Sequence, residues 1–222
     1  MFGRRFWIGA LLGFASLWCL LLAMRLIRVF HFGAVALHGV NAGKWALIYV
    51  VVFVLVALTE EFSARGYAFY TLTRIIGFWP AALLTAIVFG YAHAGNSGED
   101  WIGLLNVGLF ALLACLLLRR TGDLWMPIGL HMAFDWGETF FYGVANSGRT
   151  YPGQLMNSSP SGPAWLSGGS VGPEGSALCT LLMALCFIVC SIWLPDVNYP
   201  RPAAAKDKPL TTITVDKSPS VY

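Results

Sequence analysis

Residues 45–70 read WALIYVVVFVLVALTEEFSARGYAFY. From Trp45 to Leu58 there is no charged side chain, and the run then meets Glu60, Glu61 and Arg65 before it ends. A helix crossing the hydrocarbon core needs roughly 20 mostly apolar residues, so this stretch predicts a membrane span with ionisable groups in its second half. Composition agrees. The 222 residues are 57% hydrophobic and 11% charged, with mean hydropathy +0.67, whereas soluble domains carry about 25% charged residues. The sequence therefore predicts an all-α, multi-pass transmembrane helix bundle, with no water-soluble domain of any size.

Working outward, five more stretches qualify: 7–24, 80–94, 101–118, 127–144 and 176–194. Trp7, Trp45, Trp79, Trp101, Trp125 and Trp193 mark their ends, as expected of an interfacial aromatic belt. The first run follows Arg4 and Arg5 like a signal peptide. It lacks a small-residue cleavage pattern, so an uncleaved helix is expected. With six spans, Lys and Arg concentrate on the side of the termini, which predicts cytoplasmic N- and C-termini in the cell membrane. Residues 1–194 form one domain with a motif-bearing core at 45–144. The Gly/Ser/Pro-rich segment 145–175 has too few apolar residues for a core and is read as an outer loop. Residues 195–222 are read as a disordered cytoplasmic tail.

Several function classes drop out. A net charge of +3 without a basic cluster gives no reason to expect nucleic acid. The five cysteines lie in apolar runs without a CxxC pair, which predicts neither a disulfide nor a thiolate metal site. No internal repeat suggests an inverted-repeat transporter.

The informative residues are those that interrupt the apolar runs. Besides Glu60, Glu61 and Arg65 there are Phe89 and His93 at the end of the third span, and His131, Asp135 and Glu138 in the fifth. A charge near the bilayer centre costs about 2.5–3.5 kcal/mol on insertion scales, and three helices carrying that cost suggest a shared polar interior. Glu61 and Arg65, four apart, fall on one helical face. Glu60 lies about 100° round and points elsewhere. His131 and Asp135 also project together. A plainer reading stands beside each: Glu61–Arg65 as a structural ion pair, His93 as interfacial, and His131–Asp135 as a clasp between helices. One distance is awkward. If the third span starts at Pro80, His93 lies near its outer end, about 10 Å from Glu60 at 1.5 Å per residue. A tilted second span or a shallower third would close that gap.

Together, Glu60-Glu61-x3-Arg65, Phe89-x3-His93 and His131-x3-Asp135 resemble the three-motif signature of the CPBP (CAAX prenyl protease, Abi) family of intramembrane proteases. The resemblance implies an endopeptidase acting on polypeptides in or at the membrane. It implies that Glu60 and His93 activate the attacking water, that His131 with Asp135 stabilises the oxyanion, and that Glu61, Arg65 and Phe89 support them. Many members have Asn where this chain has Asp135. An ionised Asp cannot donate to an oxyanion, so either the carboxyl keeps its proton or it orients His131, which donates instead; the second is the expectation.

Rival chemistries remain open. Zinc could be held by His93, His131 and Asp135, although the expectation is no cofactor. Serine patterns occur at Gly95-Asn96-Ser97-Gly98 and Gly168-Gly169-Ser170-Val171-Gly172. Ser97 reads better as an N-cap with Asp100, and Ser170 lacks the strand-to-helix context of a nucleophile elbow. A non-catalytic scaffold, a bacteriocin-immunity-type protein and a proton-coupled transporter are the non-enzymatic alternatives.

Overall fold

The computed structural model describes residues 2–199. Its elements are helices α1 (Phe2–Leu26), α2 (Gly39–Arg65), α3 (Tyr67–Ile76), α4 (Phe78–Ala92), α5 (Trp101–Thr121), α6 (Trp125–Trp136), α7 (Ala164–Ser167) and α8 (Ala177–Trp193). Two short strands, β1 (Phe30–His31) and β2 (Ser159–Pro160), a π-helical turn (Gly137–Tyr142) and a 3-10 turn (Pro173–Gly175) complete it. The protein is mostly helical. By length and composition Gly3–Leu26, Gly39–Ile76 and Trp101–Thr121 suffice to cross a bilayer, while α4 and α8 are apolar but shorter.

The second expected span runs further than its apolar stretch. Helix continues to Ile76, broken only at Gly66, and α4 packs back against α3. This removes the distance problem. Sixteen residues separate Glu60 from Ile76 and fifteen separate Phe78 from His93, about 24 and 22 Å of helix, so the returning helix brings His93 level with Glu60.

Helix α6, which carries His131, is held from behind by α1. A β-carbon placed on Gly9 would lie 2.1 Å from the Met126 carbonyl oxygen, and one on Gly13 2.1 Å from that of Leu130. The reverse holds for Gly129, 2.1 Å from the Phe6 oxygen. The two backbones therefore touch, as small residues four apart permit in membrane helices. Leu17, Leu20, Leu21, Met24, Leu113 and Leu117 fill the core beside this seam.

Residues 145–175 do more than connect. β2 pairs antiparallel with β1, Phe30 opposite Pro160 and His31 opposite Ser159. The Leu155 N–H donates to Phe140 O at 2.7 Å, and Ala36 N–H to Leu155 O at 2.7 Å. The segment thus satisfies carbonyls that the π-helical turn leaves free and folds over that end of the bundle. Gly143, at φ +69° with the Met156 oxygen 1.8 Å from a would-be β-carbon, makes the reversal possible.

Two expectations are corrected. The cap of α5 is Asp100, not Ser97: the Asp100 carboxylate accepts from Ile102 N–H at 2.8 Å and Gly103 N–H at 3.1 Å. Disorder does not begin at residue 195 either. Asn198 and Tyr199 N–H donate to Arg119 O at 2.9 and 3.1 Å, serving a free carbonyl at the end of α5, and the Tyr199 ring stacks on Phe69. The remainder of the expected tail, 200–222, lies outside the described residues.

Candidate active site

The four side chains to which the resemblance gives catalytic roles meet around one cavity of about 70 Å³. Glu60 reaches it from α2, His93 from the end of α4, and His131 and Asp135 from α6. A water needs about 10–15 Å³ of such space, so several fit. Phe89, Phe110 and Phe134 supply apolar wall.

His131 sits at the centre. Its Nδ1 lies 3.0 Å from Glu61 Oε1, and Glu61 Oε1 also accepts from Arg65 Nη1 at 3.1 Å. Since that carboxylate only accepts, Nδ1 carries a hydrogen. On the other edge Nε2 faces Asp135 Oδ2 at 3.5 Å and Glu60 Oε2 at 3.7 Å. Neither contact is a close hydrogen bond; in the imidazolium form, with hydrogens on both nitrogens, Nε2–H points into the cavity. The Phe110 ring packs edge-on against it, centroids 5.0 Å apart.

His93 is oriented differently. It caps α4, and its Nδ1 is 2.8 Å from the carbonyl oxygen of Phe89. A carbonyl cannot donate, so Nδ1 carries the hydrogen, and in the neutral ring Nε2 keeps its lone pair. Glu61 and Arg65, both with fully buried side chains, tie the two histidines together. Glu61 holds His131, and the Arg65 guanidinium lies 4.7 Å over the Phe89 ring, whose backbone holds His93. The pair is incompletely served: Glu61 Oε2, Arg65 Nε and Arg65 Nη2 are buried without a hydrogen-bond partner.

The cavity also contains residues that the sequence reading did not assign. Glu138, one turn beyond Asp135, is buried with Oε1 unpartnered. Asn146, Ser147 and Glu174 arrive from the covering segment. Glu174 accepts from the Ser147 N–H, and burial pushes its carboxyl up to about 7. Asn106 of α5 donates to the Glu174 and Ser176 carbonyls at 2.7 and 2.8 Å and accepts from Thr180 Oγ1 at 2.6 Å, locking that segment to α5 and α8. A polar side chain inside the apolar run 101–118 was the signal for Asn106. Glu174 gave none, because a glycine-rich loop has no periodicity from which to place it.

Two wider spaces adjoin the cavity. A groove of about 680 Å³ along α2, α3 and α4 is mostly apolar and shares Glu60, Phe89 and His93. A cleft of about 280 Å³ beneath the covering segment shares Glu60, His93, His131 and Asp135 and adds Asn96, Arg149 and Tyr151. Ser97 and Ser170 do not line the central cavity. Among the described residues no group of three His, Cys, Asp or Glu side chains is arranged to hold a metal ion.

Residues 42–137 match the family model described as type II CAAX prenyl endopeptidase Rce1-like. No curated protein and no solved structure matches the chain. The matched region holds all three motifs and ends one residue before Glu138.

Proposed function

We propose, from the support that this match gives to a CPBP family protein, that the chain is an intramembrane endopeptidase in which Glu60 and His93 activate a water. At family level the match supports a CAAX-protease-like intramembrane endopeptidase. The observation that carries the finer reading is that Glu60, His93, His131 and Asp135, from three helices, line one cavity with room for water.

In this mechanism a water in the cavity gives a proton to the Glu60 carboxylate while His93 Nε2, left with its lone pair, orients it. The oxygen attacks the scissile carbonyl carbon. The oxyanion takes the Nε2–H of the His131 imidazolium, whose ring Glu61 holds in place through Nδ1 before the reaction starts. Asp135, at 3.5 Å, is too far for a close hydrogen bond and aims the ring without consuming its donor. As the tetrahedral species collapses, the proton on Glu60 passes to the departing amine. The apolar groove along α2–α4 lets a membrane-associated polypeptide approach Glu60 and His93 from the lipid side. Six crossings, cytoplasmic termini, residence in the cell membrane and the absence of a cofactor or nucleic-acid partner belong to the same proposal.

The test uses purified protein in bilayer discs with a membrane-anchored reporter polypeptide. Glu60→Gln, His93→Ala and His131→Ala should each lower turnover at least 10²-fold while the proteins remain monodisperse and helical. Wild-type turnover by Glu60→Gln would sink the proposed base.

A further inference from the structure

At the end of the bundle where α1 begins and α8 ends lies a second cavity, of about 390 Å³, with no part in the chemistry above. Arg4, Arg5, Ile8, Arg120, Met126 and Trp193 are among its walls, drawn from α1, α5, α6 and α8. Arg5 pairs with Asp123, and Arg120 is held by a 2.7 Å bond from Nη1 to Pro195 O. The fork of Arg120 is therefore fixed while its Nε remains buried without a partner. Among the described residues Arg4 has no ion pair, and Asp196 is the one carboxylate lining the cavity. The N-terminus of α1, the positive end of a 25-residue helix, adds to the field there. Three guanidinium groups against Asp196 and the paired Asp123 leave a net positive cavity. Trp193, on its wall, is 53% exposed, and Trp7, one turn from Arg4, is 67% exposed. Tryptophans so exposed at helix ends mark headgroup depth.

We infer that this cavity is a binding site for the phosphate of an anionic phospholipid, seated between Arg4 and Arg120 with its acyl chains passing Ile8 and Trp193. Guanidinium groups bind phosphate through paired N–H donors, and a basic pocket between helices at headgroup depth suits a lipid better than a soluble ion. This inference stands apart from the proteolytic reading.

The experiment is native mass spectrometry of the full chain with dioleoyl phosphatidylglycerol, dioleoyl phosphatidylcholine or inorganic phosphate. Phosphatidylglycerol should be retained in preference to phosphatidylcholine. Arg4→Gln, on an exposed side chain, and Arg120→Gln should each weaken that retention about five-fold. Asp196→Asn should strengthen it, a change that no merely structural role predicts. Arg25→Gln, at the opposite end of α1, should leave it unchanged. Equal retention of both lipids, or of phosphatidylglycerol by wild type and Arg4→Gln, would overturn the inference. Displacement of the lipid by equimolar inorganic phosphate would overturn the lipid assignment and make this a soluble-phosphate site.

Discussion

Replacing Arg65 by Met would remove one half of an ion pair whose side chains are fully buried and 3.1 Å apart. At an effective dielectric near 20 the gross attraction is about 5 kcal/mol, and breaking such pairs costs about 3–5 kcal/mol in practice. The His131 N–H on the same Glu61 oxygen partly compensates the stranded carboxylate, which points to the low end, about 3 kcal/mol and roughly a hundred-fold in the folded population. Combining Arg65→Met with Glu61→Gln removes both charges yet leaves an amide oxygen to accept from His131 Nδ1. Three polar atoms of the native pair already lack partners, so the double variant should return to within about 1 kcal/mol of wild type. Equilibrium unfolding in mixed micelles, on samples also tested for cleavage, measures both quantities. The double variant should recover stability and most activity, because Glu61 is argued to act by holding an imidazole rather than through its charge. Wild-type stability of Arg65→Met alone, or a double variant no better than the single one, would refute the electrostatic account.

Gly13→Ala places a carbon 2.1 Å from the Leu130 oxygen and should cost about 1–3 kcal/mol, read as a lower melting temperature in detergent. Gly3→Ala, with nothing within 4 Å, should cost nothing. Asp135→Asn should stay active and bind no zinc; zinc present in wild type and lost with activity in the variant, by elemental analysis, would instead establish a metal enzyme. The Glu174 carboxyl is held up to about 7 by burial, so its neutral form stabilises the docked segment. That contribution is complete below the usual carboxylate range and is lost as pH rises through about 7. Hydrogen exchange over 145–175, corrected for intrinsic rates, should therefore be faster at pH 8 than at pH 6, and Glu174→Gln should flatten the difference.

The parts of the site legible in the sequence were those on long apolar helices. There a Glu, His or Asp is conspicuous, and the 3.6-residue period says which of them share a face. Glu61 with Arg65 and His131 with Asp135 could be paired on paper for that reason. Whether the three helices converge depends on where each begins. The apolar stretch ending at Tyr70 hid the helix continuing to Ile76, because α3 is amphipathic and its polar positions look like the end of a span. The covering segment was opaque for a different cause. Its order rests on backbone hydrogen bonds to β1, Phe140 and Tyr142, and backbone groups are the same in every residue. Asn146, Ser147 and Glu174 therefore reach the cavity without any sequence signature of having done so.

The glycine seam between α1 and α6 has a consequence for the order of events on the ribosome. Gly9 and Gly13 are made well before α6, yet the carbonyls they lie against belong to Met126 and Leu130, which are synthesised only after α5. Until then α1 waits in lipid with a notch along one side. Glu60 is likewise inserted long before His131, and Glu174 follows both. A nascent chain thus cannot assemble the proposed centre until α6 and the covering segment have been delivered. A truncated product ending before α6 would carry the glutamate and one histidine but neither the donor ring nor the helix that fills the notch.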